Sequence, residues 1–334
     1  MFTEPRDPVF LSDGVYYIPG DTNVGMITSE NNGTTELYLV DTGASSIESD
    51  AVIDIIDSFY KKQNKDYKIK AIITTHGHPD HFGGHHYIQE KTNCEIWAGI
   101  LDQYCLENPV IHSTVIWGGY PPHELRSLFF NPEAVKVDKL FKEGDVYPIS
   151  DNRTISFIDL PGHTFSSYGI VVTNKEGKKL IFSGDAIFSR SALGKFWIPF
   201  ILNPKQFLDT LKKIKKIENV LMMIPSHGEL LIDNIEEIAE FNMISVLSAK
   251  QSILNALSKK EYSTIDEITK SVADENEYKK TLGQYVLMNS TIKSYLSIMH
   301  DYKLVKFKIE GNVLYFAKTT EEEADKEEAS HKRH

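Results

Sequence analysis

His76-Gly77-His78-Pro79-Asp80-His81 is the stretch on which the reading of this chain turns. Three imidazoles and one carboxylate within six residues are the donors that a borderline metal such as zinc prefers. They follow residues 69–75, an apolar and β-branched run that reads as a buried strand. The donors are therefore expected on a loop at a sheet edge. Gly77 and Pro79 are expected to prevent a helix there, so that the side chains point in different directions. His76 and His78, two apart, can face one metal, while Asp80 and His81 face another.

The same placement repeats further along. His163 stands in Leu160-Pro161-Gly162-His163-Thr164, after an apolar run at 155–159. Asp185 closes Phe182-Ser183-Gly184-Asp185 after a run at 179–183, and His227 lies in Ile224-Pro225-Ser226-His227-Gly228 after a run at 220–224. Taken singly, His163 or His227 reads as an ordinary surface or hydrogen-bonded histidine. Four sites that each follow a strand and a small residue or proline point instead to one cluster at strand ends.

This series resembles the metallo-β-lactamase superfamily, in its glyoxalase II-like and lactonase-like branch, over roughly residues 12–240. The resemblance implies an α/β fold, an αββα sandwich of two sheets with helices outside. It implies that His76, His78 and His163 hold a first divalent metal, that Asp80, His81 and His227 hold a second, and that Asp185 bridges them. The implied cofactors are two divalent ions, zinc first, with iron or manganese as alternatives. Asp41-Thr42-Gly43 is similar to the family's early Asp-Thr-Gly turn, which would place Asp41 behind the ligand loop as its support. The implied chemistry is hydrolysis. Two cations share one water and lower its pKa, and the bridging hydroxide attacks an electrophilic centre. Asp80, in reach of that water, is the implied catalytic carboxylate that passes on a proton. The chain contains no G-x-S-x-G elbow and no phosphate-binding P-loop to compete with this reading.

Around these sites, residues 15–18, 25–28, 37–40 and 94–98 read as strands. Helical spacing appears at Ile47, Val52, Ile55, Ile56 and Phe59, and again over 87–91 and 207–217. Glu143-Gly144 and Glu176-Gly177 read as the turns of two hairpins. Residues 108–135, rich in glycine, proline and aromatics, read as an insertion of loop or short helix. After residue 230 strand signals vanish. Helices are expected over 233–257, 264–273 and 290–300, closed by a hairpin around Gly311-Asn312. Three helices and a hairpin is the order of a winged helix. The expected domains are a catalytic domain over 1–240, a small winged-helix-like α+β domain over 241–318, and a disordered charged tail over 319–334.

The 334 residues carry a formal net charge of −11. Residues 245–318 hold 11 lysines against 8 acids and no arginine, and the tail is acidic, so the first 244 residues are acidic too. An acidic catalytic part makes nucleic acid a poor partner, because phosphate contacts need lysine and arginine. The expected substrate is a small molecule with an ester, thioester or lactone bond. Its pocket walls are expected from Trp117, Tyr120, Phe188, Arg190, Lys195, Phe196 and Trp197, with Arg190 or Lys195 holding a substrate carboxylate. No clear match to the family's glutathione-binding stretch follows His227. The first alternative is a metal-dependent endoribonuclease, because some ribonucleases of this superfamily carry a C-terminal winged helix. The second is a mononuclear iron sulfur dioxygenase, against which a set of seven ligands speaks. The C-terminal module is expected to serve assembly, such as a homodimer, or pocket shape. Cys94 and Cys105 are expected as reduced thiols. No signal peptide or membrane span is recognisable, so a cytoplasmic protein without a membrane partner is expected.

Overall fold

The computed structural model describes residues 7–126, 132–195, 199–276 and 281–320. The chain begins with β1 (Val9–Ser12), β2 (Val15–Ile18), β3 (Val24–Asn31) and β4 (Thr34–Val40), an antiparallel meander. Helix α1 (Ser46–Lys62) follows, then β5 (Tyr67–Ile73), the short α2 (Pro79–Phe82), α3 (His85–Thr92) and β6 (Glu95–Gly99). Next come α4 (Asp102–Glu107), α5 (Val110–Trp117), a 3-10 turn at His123–Arg126 and β7 (Lys139–Phe141). Strands β4 to β7 run parallel and complete a seven-stranded sheet in chain order.

The second sheet contains β8 (Val146–Ile149), β9 (Arg153–Asp159), β10 (Tyr168–Thr173) and β11 (Lys179–Gly184). After α6 (Arg190–Lys195) and α7 (Pro204–Ile214), β12 (Val220–Pro225) joins β11 in parallel at its edge. The chain continues with α8 (Ile235–Leu257), α9 (Ile265–Glu275), α10 (Leu282–Asp301) and the hairpin β13 (Val305–Glu310) and β14 (Val313–Lys318).

Strand alternation sorts the apolar side chains into layers, since successive residues point to opposite faces. Leu37 and Leu39 of β4 pack with Ile69 and Ile72 of β5 against Ile53 and Ile56 of α1 and Ile88 of α3. The other face of the same strands, Tyr38, Val40, Ala71 and Ile73, meets Ile155, Phe157, Ile170, Val172 and Phe182 of the second sheet. Val171, Ile181 and Met223, on the far face of that sheet, pack on Phe207, Leu211 and Ile214 of α7. The result is the helix–sheet–sheet–helix sandwich. Its outermost core does not stop at residue 240. Ile253, Ile268, Val272, Ile292, Leu296 and Val305 belong to the same apolar cluster as Phe207 and Met223. Three helices and a hairpin do follow residue 234, in the expected order. The described residues contain no helix long and apolar enough to cross a membrane.

Three local expectations are corrected. The Glu143-Gly144 turn closes no hairpin. It carries the chain from β7, paired with β6, into the other sheet, where β8 pairs with β9. Phe141, just before it, lies stacked on Phe157 of β9 at 3.8 Å, and that inter-sheet contact outweighs the local turn signal. Pro79 does not prevent a helix. It begins α2, where its missing N–H is one that a first helical turn leaves unpaired anyway. Helix α10 starts at Leu282 rather than near 290, because Thr281 and Gln284 form a reciprocal capping box. The end of the expected tail, residues 321–334, lies outside the described residues.

Candidate metal centre

The four ligand-bearing segments leave β5, β9, β11 and β12 at the same edge of the sandwich. Local backbone geometry sets each one. Asp41 sits just past β4 with φ 58°, a left-handed conformation that aspartate tolerates better than most residues. Its carboxylate accepts the Thr75 N–H at 2.8 Å and the Thr75 hydroxyl at 2.7 Å, and lies 2.9 Å from His81 Nδ1. One buried side chain thus holds both ends of the His76–His81 loop. Gly162, ahead of His163, has φ 129°, and a Cβ there would stand 2.3 Å from the Phe207 backbone nitrogen. Only glycine lets α7 pack so closely behind that loop. Asn23 ties down the fourth segment by donating to the carbonyls of Pro225 and Gly228, both at 2.9 Å.

These segments gather seven side chains. Ligand-capable atoms of His76, His78 and His163 lie within 4.8 Å of one another, as do those of His76, His81 and Asp185, and those of Asp80, His81 and His227. Asp185 spans them. Its Oδ2 is 3.3 Å from His163 Nε2, while its Oδ1 is 3.5 Å from His227 Nε2 and 3.7 Å from His81 Nε2. Asp80 Oδ2 lies 3.4 Å from His227 Nε2 and 3.7 Å from His81 Nε2. The outward nitrogens are engaged elsewhere. His163 Nδ1 donates to the Phe200 carbonyl at 2.7 Å, and His227 Nδ1 to that of Asp21 at 2.6 Å. His76 Nδ1 lies 3.1 Å from the Thr75 hydroxyl. The rings are thereby turned with Nε2 inward.

A direct test of whether metal fits is the state of the inward atoms. His76 Nε2, His81 Nε2 and Asp185 Oδ1 are buried without a hydrogen-bond partner. Buried polar atoms rarely go unpaired, and three converging on one point ask for a cation. Without one, burial pushes His76 and His78 well below the usual imidazole range, and the neighbouring imidazoles push the same way. Burial also opposes charge on His81, but Asp80 and Asp185 overcome it and raise that ring to about 10. Positive charge is favoured where a metal would stand. His85, though adjacent, does not belong to the set. Thr42 and Thr74 occupy its two nitrogens at 2.7 and 2.8 Å.

A family model of the metallo-beta-lactamase superfamily matches residues 17–227. The chain belongs to the metallo-β-lactamase superfamily. It is a metal-dependent hydrolase of that superfamily. The hydroxyacylglutathione hydrolase GloC of Haemophilus influenzae is 25% identical over 165 residues, 49% of this chain and 70% of its own length. Ribonuclease J 1 of Streptococcus pyogenes is 28% identical over 191 residues, 54% of this chain but 29% of the ribonuclease. The crystal structure of a beta-lactamase domain protein from Burkholderia ambifaria superposes with a TM-score of 0.69 at 16% identity, covering 94% of each chain. That likeness shows a shared fold, and it extends beyond the segment that the family model matches.

Within the metallo-β-lactamase site, the expected wall residues are placed unevenly. Trp117 ends α5 and is 42% exposed. Tyr120 is 75% exposed, with the Arg126 guanidinium 5.1 Å from its ring centroid. Phe188 is a core residue at 3% exposure, its ring 5.9 Å from that of His163. Arg190 pairs with Glu237 and lies 4.6 Å over the Phe241 ring, so α8 engages it. Lys195 ends α6; its side chain, Phe196 and Trp197 lie outside the described residues. Other residues stand against the cluster instead. The His112 ring lies 4.7 Å from His78, and Phe200 lies 5.3 Å from His78 and 5.9 Å from His163. Asp102 accepts the Gly77 N–H at 2.8 Å and the Ser166 hydroxyl at 2.7 Å, linking the loops that carry His76 and His163. Burial pushes it up to about 8, against the lowering effect of those two hydrogen bonds. No spacing in the sequence singles out Asn23, Asp102 or His112, since each reaches the site from an otherwise unremarkable segment.

Proposed function

We propose that this chain is a binuclear hydrolase, with zinc as the native metal, acting on an ester, thioester or lactone bond of a small molecule. One observation carries the binuclear part: the two oxygens of Asp185 divide between His163 on one side and His81 and His227 on the other. His76, His78 and His163 would hold one ion, Asp80, His81 and His227 the other, with Asp185 between them. Two such ions, when bound, supply Lewis acidity and acidify a water near neutral pH. The chain's own residues do the rest. His227 and Asp80 are the more exposed members of the cluster, at 18% and 33% of their side chains, so substrate and water enter past them. The Asp80 carboxylate can take up the proton that the attacking water loses. In the overall step the carbonyl carbon gains the water oxygen and loses the leaving oxygen or sulfur, which departs with a proton.

Three features support the acyl class over RNA. The aromatic ring of Phe200, beside His78 and His163, suits an organic substrate. The first 244 residues are acidic. Among the relatives, the hydroxyacylglutathione hydrolase is matched over 70% of its length and the ribonuclease over 29%. We read residues 241–318 as a winged-helix-like module that shapes the site, because α10 contributes Val286, Tyr285 and Leu287 to the apolar patch that also contains Phe200 and Ile116 of α5. The deciding experiment is a panel of thioesters, lactones, simple esters, a phosphodiester and RNA, assayed with zinc-reconstituted protein. Turnover of an acyl substrate is expected. Cleavage of RNA without acyl turnover would replace this reading with the ribonuclease one.

A further inference from the structure

His112 differs from the histidines around it. In His76, His81, His163 and His227 the Nδ1 atom is engaged by the protein. The His112 ring has no hydrogen-bond partner among the described residues, and its nitrogens are not sealed from solvent. It is nevertheless not a loose surface side chain. It is half-buried, packed at 66° against His78 and 6.5 Å from Phe200. Its helix is braced from behind. Ile116, one turn further along α5, is buried against Leu125 and against Val286 of α10. An imidazole packed at the rim of the candidate metal centre, with no hydrogen-bond partner among the described residues, is placed for something that arrives from outside.

We propose that His112 is a substrate-contacting residue that donates a hydrogen bond to the oxygen which gains negative charge during hydrolysis. This rests on the hydrolase reading above. A donor is available whatever the ring's protonation, because an imidazole keeps at least one N–H. Its ring, 4.7 Å from that of His78, stands beside the first histidine triad, where the oxygen of a bound acyl group would lie. The hydrogen bond strengthens as charge develops on that oxygen, so it favours the transition state over the ground state. His112 keeps its proton throughout. The ligand it selects is an acyl or tetrahedral oxyanion, not an apolar group.

The test compares wild type, H112A and H112Q after zinc reconstitution, with metal content measured on each. Inorganic phosphate, a tetrahedral oxyanion, is titrated by calorimetry. Removing one donor should weaken phosphate about tenfold in H112A, and H112Q, whose amide retains an N–H, should recover most of that affinity. On an acyl substrate that wild type hydrolyses, kcat should fall by about 100-fold in H112A while KM changes little. Equal phosphate affinity in all three proteins, absence of binding included, overturns the assignment. So does loss of zinc in H112A, which would make the ring a support for His78 instead. Failure of wild type on every acyl substrate counts against the hydrolase reading, and the phosphate titration still decides His112.

Discussion

The Thr291 hydroxyl of α10 accepts the Ile201 N–H at 3.2 Å, one residue beyond the carbonyl that takes His163 Nδ1. A helix far along the chain therefore holds the stretch of backbone that orients a candidate metal-binding imidazole. Thr291→Val keeps the shape and leaves the buried Ile201 N–H unpaired. Partners behind metal-binding histidines are typically worth about 10–100-fold in affinity, and this one acts through a peptide, so a loss of about tenfold is expected. Chelator competition would measure it, with Thr291→Ser as the rescue. Unchanged zinc affinity in Thr291→Val would show that α10 supports the fold alone.

Asp185→Ala should abolish activity while circular dichroism stays native. The carboxylate lies between both groups of ligands but contributes nothing to the three cores. A fall in kcat of more than about 100-fold is expected, beyond what a supporting residue costs. Near-normal turnover in this variant would remove Asp185 from the bridging position.

Purified protein reconstituted with zinc should contain close to two equivalents by elemental analysis. The unpaired His76 Nε2, His81 Nε2 and Asp185 Oδ1 predict that the ions also stabilise the fold, since each ends a buried orphan. Chelation should lower the melting temperature measurably. Full activity with a single iron would favour the dioxygenase alternative.

Asp102 predicts a pH effect on stability. Burial raises its carboxyl to about 8 in the folded chain, against an ordinary value of 3.8. Between those values the folded state holds a proton that the unfolded state has released, so stability falls as pH rises through that window. Asp102→Asn retains an acceptor for Gly77 and an amide donor for Ser166, and removes the titration. Its melting temperature relative to wild type should climb between pH 4 and pH 8, on the order of a few °C. Parallel melting curves for the two proteins across that range would contradict the buried, protonated carboxyl.

Nucleic acid should bind weakly. Three lysines of residues 241–318 are locally neutralised: Lys260 pairs with Glu267 at 2.6 Å, Lys308 with Glu310 at 2.8 Å, and Lys270 with Asp274. Such mixed charge gives a field screened within about 8 Å at physiological salt. RNA and DNA binding should vanish by moderate salt in a filter or anisotropy assay. Micromolar RNA binding that survives physiological salt would speak for the ribonuclease.

The side chains that gather at the candidate metal centre were legible in the primary structure because each is local to a strand end. Apolar runs at 69–75, 179–183 and 220–224 announce β5, β11 and β12, and His76, Asp185 and His227 follow them within three residues. The sandwich was legible for the same reason, since alternation and helical spacing are short-range patterns, and the resemblance supplied their assembly. What the sequence by itself determined is therefore the donor set and the layers. Tertiary structure alone decided the surroundings. His112 meets His78 only because α10 braces α5, and Thr291 reaches Ile201 across 90 residues of chain. Asp102 joins two loops, and Arg190, a natural candidate for a substrate carboxylate, is drawn to Glu237. Glu143-Gly144 carries a turn signal, yet β7 stays with β6 and the chain crosses to the other sheet, where β8 pairs with β9 and Phe141 stacks on Phe157. Such choices depend on side chains meeting across packed layers, and no period or spacing along one segment encodes which distant segment it will meet.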